Sequence, residues 1–476
     1  MKQYDLFING EFVQSSAGVI REVRNPATEE VVSLVQEATI DDTRRAIQAA
    51  ADAQSSWAGL PAIQRANYLT QIAARIRDNM DYLAQVISEE QGKILSMALG
   101  EVSSTADYLE YMAGWARRIE GEIIPSDRPN ENIFLFRKPI GVVAGILPWN
   151  FPFFLIARKM APALITGNTI VIKPSEETPN NAFEFAKIVA ECNLPKGVFN
   201  VVSGNGATVG AELASNPQIG LITFTGSVET GTSIMKAAAD NITKVSLELG
   251  GKAPAIVMDD ADIDLAVRCI RLSRIGNAGQ VCNCAERIYV HEAVLSEFTD
   301  KMVEAMTNTT YGDPLSGEVD MGPLINREQL SKVETIVERA VQEGATVAIG
   351  GKRAPTQKGH YFEPTVLLNC KQEMEITHKE IFGPVLPIIP FRHLEEAISM
   401  ANDSSYGLTS SIYTKSLEVM MRAANELKFG ETYVNRENNE AIQAFHSGWR
   451  KSGLGGDDGK HGLEEFLQWR VVYVQY

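Results

Sequence analysis

The spacing of apolar positions changes character at Gly141. Before it, apolar residues recur mostly at helical intervals; after it, short β-prone runs alternate with helical ones. Leu6-Phe-Ile-Asn-Gly-Glu-Phe-Val13 reads as a hairpin turning at Asn9-Gly10. The alanine-rich stretch 41–57 reads as a helix capped by Thr39 or by its own aspartates. Ile63, Leu69, Ile72, Ile76, Leu83 and Ile87 carry helical spacing through 61–91, and 103–118 follows with Tyr108, Met112 and Trp115 on one side. Beyond the hairpin, the first quarter is expected to be all helical and to carry no chemistry. Segment 119–137 sets Pro125 and Pro129 between two β-prone runs, which marks a protruding hairpin rather than a pair of core strands.

From Gly141 the pattern predicts strands at 142–147, 169–173, 199–203 and 220–224. Helices are expected at 154–165, 181–192, 208–214 and 233–239. Such alternation argues an α/β fold with a doubly wound parallel sheet, which binds nucleotides at the carboxyl ends of its strands. A second alternating region follows Glu248, with strands at 255–258 and 287–291 and helices at 261–271, 295–307 and 327–343. The last β-prone run, 469–475, has no helix behind it.

The chain has 476 residues, room for two or three domains. Its formal charge of −16 repels nucleic acid and anionic lipid, which excludes both as main partners. Cysteines stand at 192, 269, 282, 284 and 370; an odd, scattered set is no disulfide framework and suits a reducing compartment. The first ten residues lack the apolar core of a signal peptide, and no run of about 18 apolar residues is present to span a membrane. A cytoplasmic enzyme is the expectation.

Three stretches carry candidate chemistry. Gly279-Gln-Val-Cys282 offers a thiol after a backbone turn that glycine permits. Glu248-Leu-Gly-Gly-Lys252 puts a carboxylate at a strand end, a general base if burial raises its pKa. Pro148-Trp-Asn-Phe-Pro152 adds the Asn150 amide; nucleophile, carboxylate and amide together suffice for acyl chemistry at a carbonyl. Gly204-Asn-Gly206 with Gly210 narrowly misses the dinucleotide fingerprint. Phe224-Thr-Gly226-Ser227 enters a helix, either as a pyrophosphate cradle or as a plain N-cap. Lys173-Pro-Ser-Glu176 offers a cation and a carboxylate for ribose hydroxyls, or a surface ion pair. Glu380-Ile-Phe382-Gly-Pro combines carboxylate, aromatic and sharp turn, in isolation a β-turn over a core ring. Cys282-Asn-Cys284 has no histidine nearby, so no metal is expected.

Taken in chain order, the six motifs at 148–152, 173–176, 224–227, 248–252, 279–282 and 380–384 resemble the aldehyde dehydrogenase superfamily over essentially the whole chain. The resemblance implies a NAD-binding domain from 1–118 and 138–249, a catalytic domain from 250–447, and oligomerisation or bridging segments at 119–137 and 448–476. It implies that NAD lies against Trp149, Lys173, Glu176, Gly226, Ser227, Glu380 and Phe382. It implies that Cys282 attacks an aldehyde, that the Asn150 amide and the Cys282 N–H hold the oxyanion, and that Glu248 activates water against the thioester. Glu248 favours hydrolysis over transfer to coenzyme A.

The sequence also departs from the family. Ile275 stands where an aromatic is common, and Phe445-His-Ser-Gly448 replaces Pro-Phe-Gly-Gly. Arg158, Glu440 and His446 stand where relatives that take large apolar aldehydes carry aromatics; with Asn283 they suit a short 2-hydroxyaldehyde such as lactaldehyde or glycolaldehyde. Alternatively, Arg158 and Glu440 pair only with each other. A succinate-semialdehyde-like or coenzyme A-acylating enzyme, or an inactive structural member, stands as the competing reading. A homodimer or homotetramer is expected.

Overall fold

A computed structural model describes residues 1–354 and 358–476. Two large sheets organise it. The first has eight strands, and its parallel core winds both ways from Val142–Ile146: outward through Thr169–Lys173 and Phe199–Val201, then back across to Ile219–Thr225 and Lys244–Glu248. Strands Val142–Ile146 and Thr169–Lys173 are buried at every position, as strands covered on both faces by helices must be. The winding reverses between Val142–Ile146 and Ile219–Thr225. A crevice therefore opens where the chain leaves these two strands in opposite directions, at Leu147–Asn150 and at Gly226–Ser227. The antiparallel hairpin Leu6–Ile8 and Glu11–Val13 closes one edge; Asn9 (φ 54°) and Gly10 (φ 77°) are both left-handed, as the tight turn requires.

The second sheet has seven strands around Ala253–Val257. Ala285–His291 and Val385–Phe391 lie on one side, Thr409–Tyr413 and Glu431–Val434 on the other, all parallel. The loops that enter its strands face the carboxyl ends of the first sheet, so Cys282 arrives just before Ala285–His291 and Glu248 just before Ala253–Val257. The segment 119–137 does form a hairpin, Glu122–Pro125 with Glu131–Pro139, and Leu467–Gln475 adds a third antiparallel strand. The rest of 448–476 divides from it. Gly453–Leu454 pairs with Lys244–Glu248 at the edge of the first sheet, and Leu463 and Phe466 are buried in that sheet's core.

Several expectations need correction. The first quarter is not all helical: Lys2–Tyr4, Val31–Gln36 and Ile20–Arg24 form a small sheet. Its strands are short and half exposed, and Ile20–Arg24 interleaves apolar with charged residues, which breaks the apolar signal. The stretch 61–91 is two helices, Ala62–Asp78 and Met80–Gln91, broken at Asn79 (φ −116°, ψ 19°). The helix expected to begin at 103 begins earlier, as Leu95–Ala113. The helix expected at 233–239 is Val228–Ala239, begun by Ser227, whose hydroxyl accepts from the Thr230 N–H at 3.2 Å. The 41–57 helix is Ile40–Gly59, with Thr39 and Asp42 capping each other reciprocally.

Candidate active site

The loop before Cys282 is wound tightly. Asn277, Ala278 and Gly279 are successive left-handed residues (φ 48°, 56° and 74°). A Cβ at Gly279 would overlap the Gly383 carbonyl oxygen, which is why glycine stands there. Gln280 pins the turn: its Nε2 donates to Asn277 O at 2.9 Å and its Oε1 accepts from the Ile325 N–H at 2.8 Å. Gly251 lets the Glu248 segment pass against the Cys282 carbonyl, where a Cβ would collide. Burial pushes the Cys282 thiol up, opposed by the imidazole of His446.

The Asn150 loop is held from below by a fully buried ion pair. Lys93 Nζ meets Glu101 Oε2 at 2.5 Å and donates to Asn150 O at 2.8 Å. Glu101 Oε1 accepts from the Phe153 and Phe154 N–H groups at 2.9 and 3.1 Å, a carboxylate at the start of the helix Phe154–Ile165. Asn150 Nδ2 donates to Gln280 O at 3.0 Å, so the amide is fixed against the cysteine loop.

Glu248 is buried at the end of its strand, and neither carboxylate oxygen has a hydrogen-bond partner among the described residues. Burial, opposed by His446, pushes its carboxyl up to about 8. A buried carboxylate with open lone pairs facing a cavity is placed to take a proton from water.

Trp149 and Phe382 meet edge to face across the crevice, ring centres 5.4 Å apart. Phe382 is itself left-handed (φ 55°). Glu286 holds its turn by accepting from the Ile381 and Phe382 N–H groups at 3.0 and 2.9 Å. Burial pushes Glu286 up, but Lys252 and Arg274 beside it bring it down to about 2. Glu380 accepts from the Gly251 N–H at 2.9 Å; burial and the Glu286 charge raise it to about 7.

One cavity of about 540 Å³ joins these parts. Trp149, Asn150, Arg158, Gly226, Ser227, Glu248, Cys282, Asn283, Glu380, Phe382, Glu440 and His446 all line it. Two expected residues do not: Lys173 and Glu176 lie beyond it at the end of Thr169–Lys173, with Lys173 Nζ 3.3 Å from Glu176 Oε1. Ile275 is absorbed in the second core. Arg158 and Glu440 do pair, at 3.5 Å, but that contact is not the main hold on Arg158. The Arg158 guanidinium is instead forked by Asp458, which accepts from Nε at 3.0 Å and again from Nη2. Glu440 accepts from the Asn283 amide. His446 Nδ1 meets Glu431 Oε1 at 2.7 Å, and its Nε2 lies 3.7 Å from Glu248 Oε2.

Sequence reasoning missed Lys93, Glu101, Glu286, Glu431, Asp457 and Asp458. Only the last two left a signal: an acid pair bracketed by Gly455, Gly456 and Gly459, where backbones approach closely.

The aldehyde dehydrogenase family model matches residues 12–472. The chain is 60% identical over 474 residues to lactaldehyde dehydrogenase of Escherichia coli (strain K12), covering 99% of each. A crystal structure of lactaldehyde dehydrogenase from Escherichia coli superposes with a TM-score of 0.98 at 60% identity, covering 100% of this chain and 99% of that one. Betaine aldehyde dehydrogenase from Staphylococcus aureus in complex with NAD+ superposes at 0.97 with 37% identity, covering 99% and 95%. The chain belongs to the aldehyde dehydrogenase family. It is an oxidoreductase that acts on aldehydes, and a solved relative is bound to NAD. The crevice suits that group, with the Ser227-capped helix start at one end and the Trp149–Phe382 rings beside Glu380 at the other. No described helix is long and apolar enough to cross a membrane.

Proposed function

We propose that this enzyme oxidises a short 2-hydroxyaldehyde, such as lactaldehyde or glycolaldehyde, to the hydroxy acid. The observation that carries the reading is the polar wall opposite Cys282. Arg158, Asn283, Glu440 and His446 line the cavity where an apolar aldehyde would want hydrocarbon. Most of these groups have protein partners, but Asn283 Oδ1 is buried with none among the described residues, a cost that a hydroxyl beside the carbonyl removes by donating to it.

The roles follow from position. The Cys282 sulfur attacks the aldehyde carbon, and the oxyanion is held by the Asn150 amide and the Cys282 N–H; removing one such donor typically costs about 10²–10³ in rate. NAD, when bound, supplies the hydride acceptor. Gly226 and Ser227 would hold its pyrophosphate, Trp149, Glu380 and Phe382 its nicotinamide end, and Lys173 and Glu176 its adenosine ribose. Glu248 then takes a proton from the water that attacks the thioester, and Cys282 leaves as the thiolate. The unpartnered Glu248 carboxylate favours this hydrolytic course over acyl transfer to coenzyme A.

Segments 1–118 and 138–249 form the NAD-binding domain and 250–447 the catalytic domain. The sheet of Glu122–Pro125, Glu131–Pro139 and Leu467–Gln475 carries exposed Ile123, Trp469 and Tyr473, a surface suited to joining a homodimer or homotetramer. Unpaired cysteines at 192, 269, 282, 284 and 370 suit the cytoplasm.

Lactaldehyde and propanal differ only in the hydroxyl, so the test is their kcat/KM ratio with NAD. The reading expects lactaldehyde and glycolaldehyde to exceed propanal and acetaldehyde, and His446→Phe to erode the margin. Preference for hexanal or benzaldehyde would refute the polar-wall argument.

A further inference from the structure

Phe382 stands in a left-handed backbone conformation (φ 55°) that a bulky side chain keeps only where its neighbours enforce it. Two side chains enforce it. Glu286 accepts from the Ile381 N–H with Oε2 at 3.0 Å and from the Phe382 N–H with Oε1 at 2.9 Å. Gln329 Nε2 donates to the carbonyls of the same two residues, at 3.2 and 2.7 Å. All four backbone polar groups of Ile381 and Phe382 are thereby taken.

Glu286 is 2% exposed and forms no part of the cavity wall. It follows Cys282 by four residues, as Lys252 follows Glu248 by four. Lys252 Nζ meets Glu286 Oε2 at 2.9 Å, and Arg274 Nη2 meets Oε1 at 3.1 Å. Each carboxylate oxygen therefore accepts from one cation and one backbone N–H, which fills its capacity. Arg274 Nη1 also donates to the Ala285 carbonyl at 3.3 Å, and the Gly251 N–H donates to Glu380 Oε1 at 2.9 Å. Three loops are tied at this one point: the loop of Cys282, the loop of Glu248, and the turn that carries Glu380 and Phe382.

We propose that Glu286 is a positioning residue for hydride transfer, holding the Phe382 turn in register with the Cys282 and Glu248 loops so that the nicotinamide end of NAD meets the aldehyde carbon. The proposal rests on the reading of Trp149, Glu380 and Phe382 as the nicotinamide end. Phe382 meets Trp149 edge to face at 5.4 Å, so movement of the turn reshapes that end of the crevice. Transfer between two bound groups is steep in distance: the reacting atoms must approach to about 3–3.5 Å, and a misplacement of about 1 Å can cost on the order of 10² in rate. Attack of Cys282 on a carbonyl does not depend on where the Phe382 turn stands. Loss of Glu286 should therefore divide the two halves of the chemistry.

Glutamine at 286 has an amide nitrogen that cannot accept, so one cation and one backbone N–H lose their acceptor. Replacing Lys252 with methionine as well removes the cation that would be left bare. The full-length double variant Glu286→Gln/Lys252→Met is compared with Lys252→Met alone, which keeps both bonds to the turn, and with Glu286→Asp. Calorimetry without aldehyde gives the dissociation constant of NAD. An activated ester, p-nitrophenyl acetate, reaches the acyl-Cys282 state by losing nitrophenolate, with no hydride to transfer, so its hydrolysis without NAD reads the acyl chemistry alone. Lactaldehyde deuterated at C1 reports how far hydride transfer limits kcat.

In the double variant the dissociation constant of NAD should rise at least about tenfold. Oxidation should fall by about 10–10² with a larger isotope effect, while ester hydrolysis stays within about threefold of wild type. Lys252→Met should stay near wild type in all three. Glu286→Asp keeps both cations but is one methylene too short to reach both N–H groups, and should show smaller shifts in the same direction; it is read alone if the double variant does not fold. Equal falls in ester hydrolysis and oxidation would make Glu286 a stability residue only and overturn the proposal. So would unchanged NAD binding and isotope effect, or a full loss in Lys252→Met alone. Wild type that binds no NAD, or leaves the ester intact, strikes the proposed function itself.

Discussion

Replacing Glu248 with glutamine keeps the size of the side chain and removes its basicity. The structure supplies the expected scale. With its carboxyl near 8, Glu248 is about one-tenth ionised at pH 7 and about nine-tenths at pH 9, so a rate that needs the carboxylate climbs ~tenfold between them. The sign follows from the role: a general base works deprotonated, so wild-type turnover rises with pH through about 8 and falls on the acid side. In Glu248→Gln that limb disappears, and steady turnover drops by roughly 10²–10⁴, the usual worth of a positioned base. Formation of the thioester does not require Glu248. Stopped-flow absorbance of NADH, with saturating hydroxyaldehyde, should therefore still record a first-turnover burst approaching one equivalent per Cys282. A variant that loses the burst together with steady turnover refutes the reasoning, because Glu248 would then act on the thiol.

Cys282→Ala should abolish aldehyde oxidation, whereas Cys284→Ala should keep most of it. The Cys284 thiol is pushed by burial up to about 12 and packs against Arg274 at 2.9 Å; equal loss of steady-state rate in both would contradict the assignment. Glu176→Ser should narrow the preference for NAD over NADP by relieving repulsion of the 2′-phosphate, read from paired kcat/KM values; wild type that uses both equally removes the role given to Glu176. Lys93→Met leaves Glu101 buried without its cation and should cost about 3–5 kcal/mol in denaturant unfolding. A loss below about 1 kcal/mol would mean the pair does not hold the Asn150 loop.

Much of this architecture is legible in the chain because the signals are local. Asn9-Gly10 dictates its own turn, and the helix Leu295–Thr307 and strand Thr169–Lys173 begin and end where apolar periodicity does. Cys282, Glu248 and Asn150 are legible because each sits in a short motif with glycine or proline neighbours. The groups that hold them are not. Lys93 follows a glycine and reads as a surface loop residue, yet it is 1% exposed because Glu101 and Asn150 O surround it. Glu431 is an ordinary acid at a strand start until folding brings His446 beside it, fifteen positions on. The alternative in which Arg158 pairs only with Glu440 was open from sequence because Asp458, three hundred residues from Arg158, was invisible as a competitor.

The central claim is that a hydroxyacyl group rides on Cys282 and on no other residue. Glu248→Gln enzyme mixed with lactaldehyde and NAD, quenched in acid and digested with protease, gives the most direct reading by peptide mass. The account expects the peptide that contains Cys282 to gain the mass of one lactoyl group, with the gain lost under hydroxylamine as thioesters are. An unmodified Cys282 peptide, or the lactoyl group on Cys284, would contradict it.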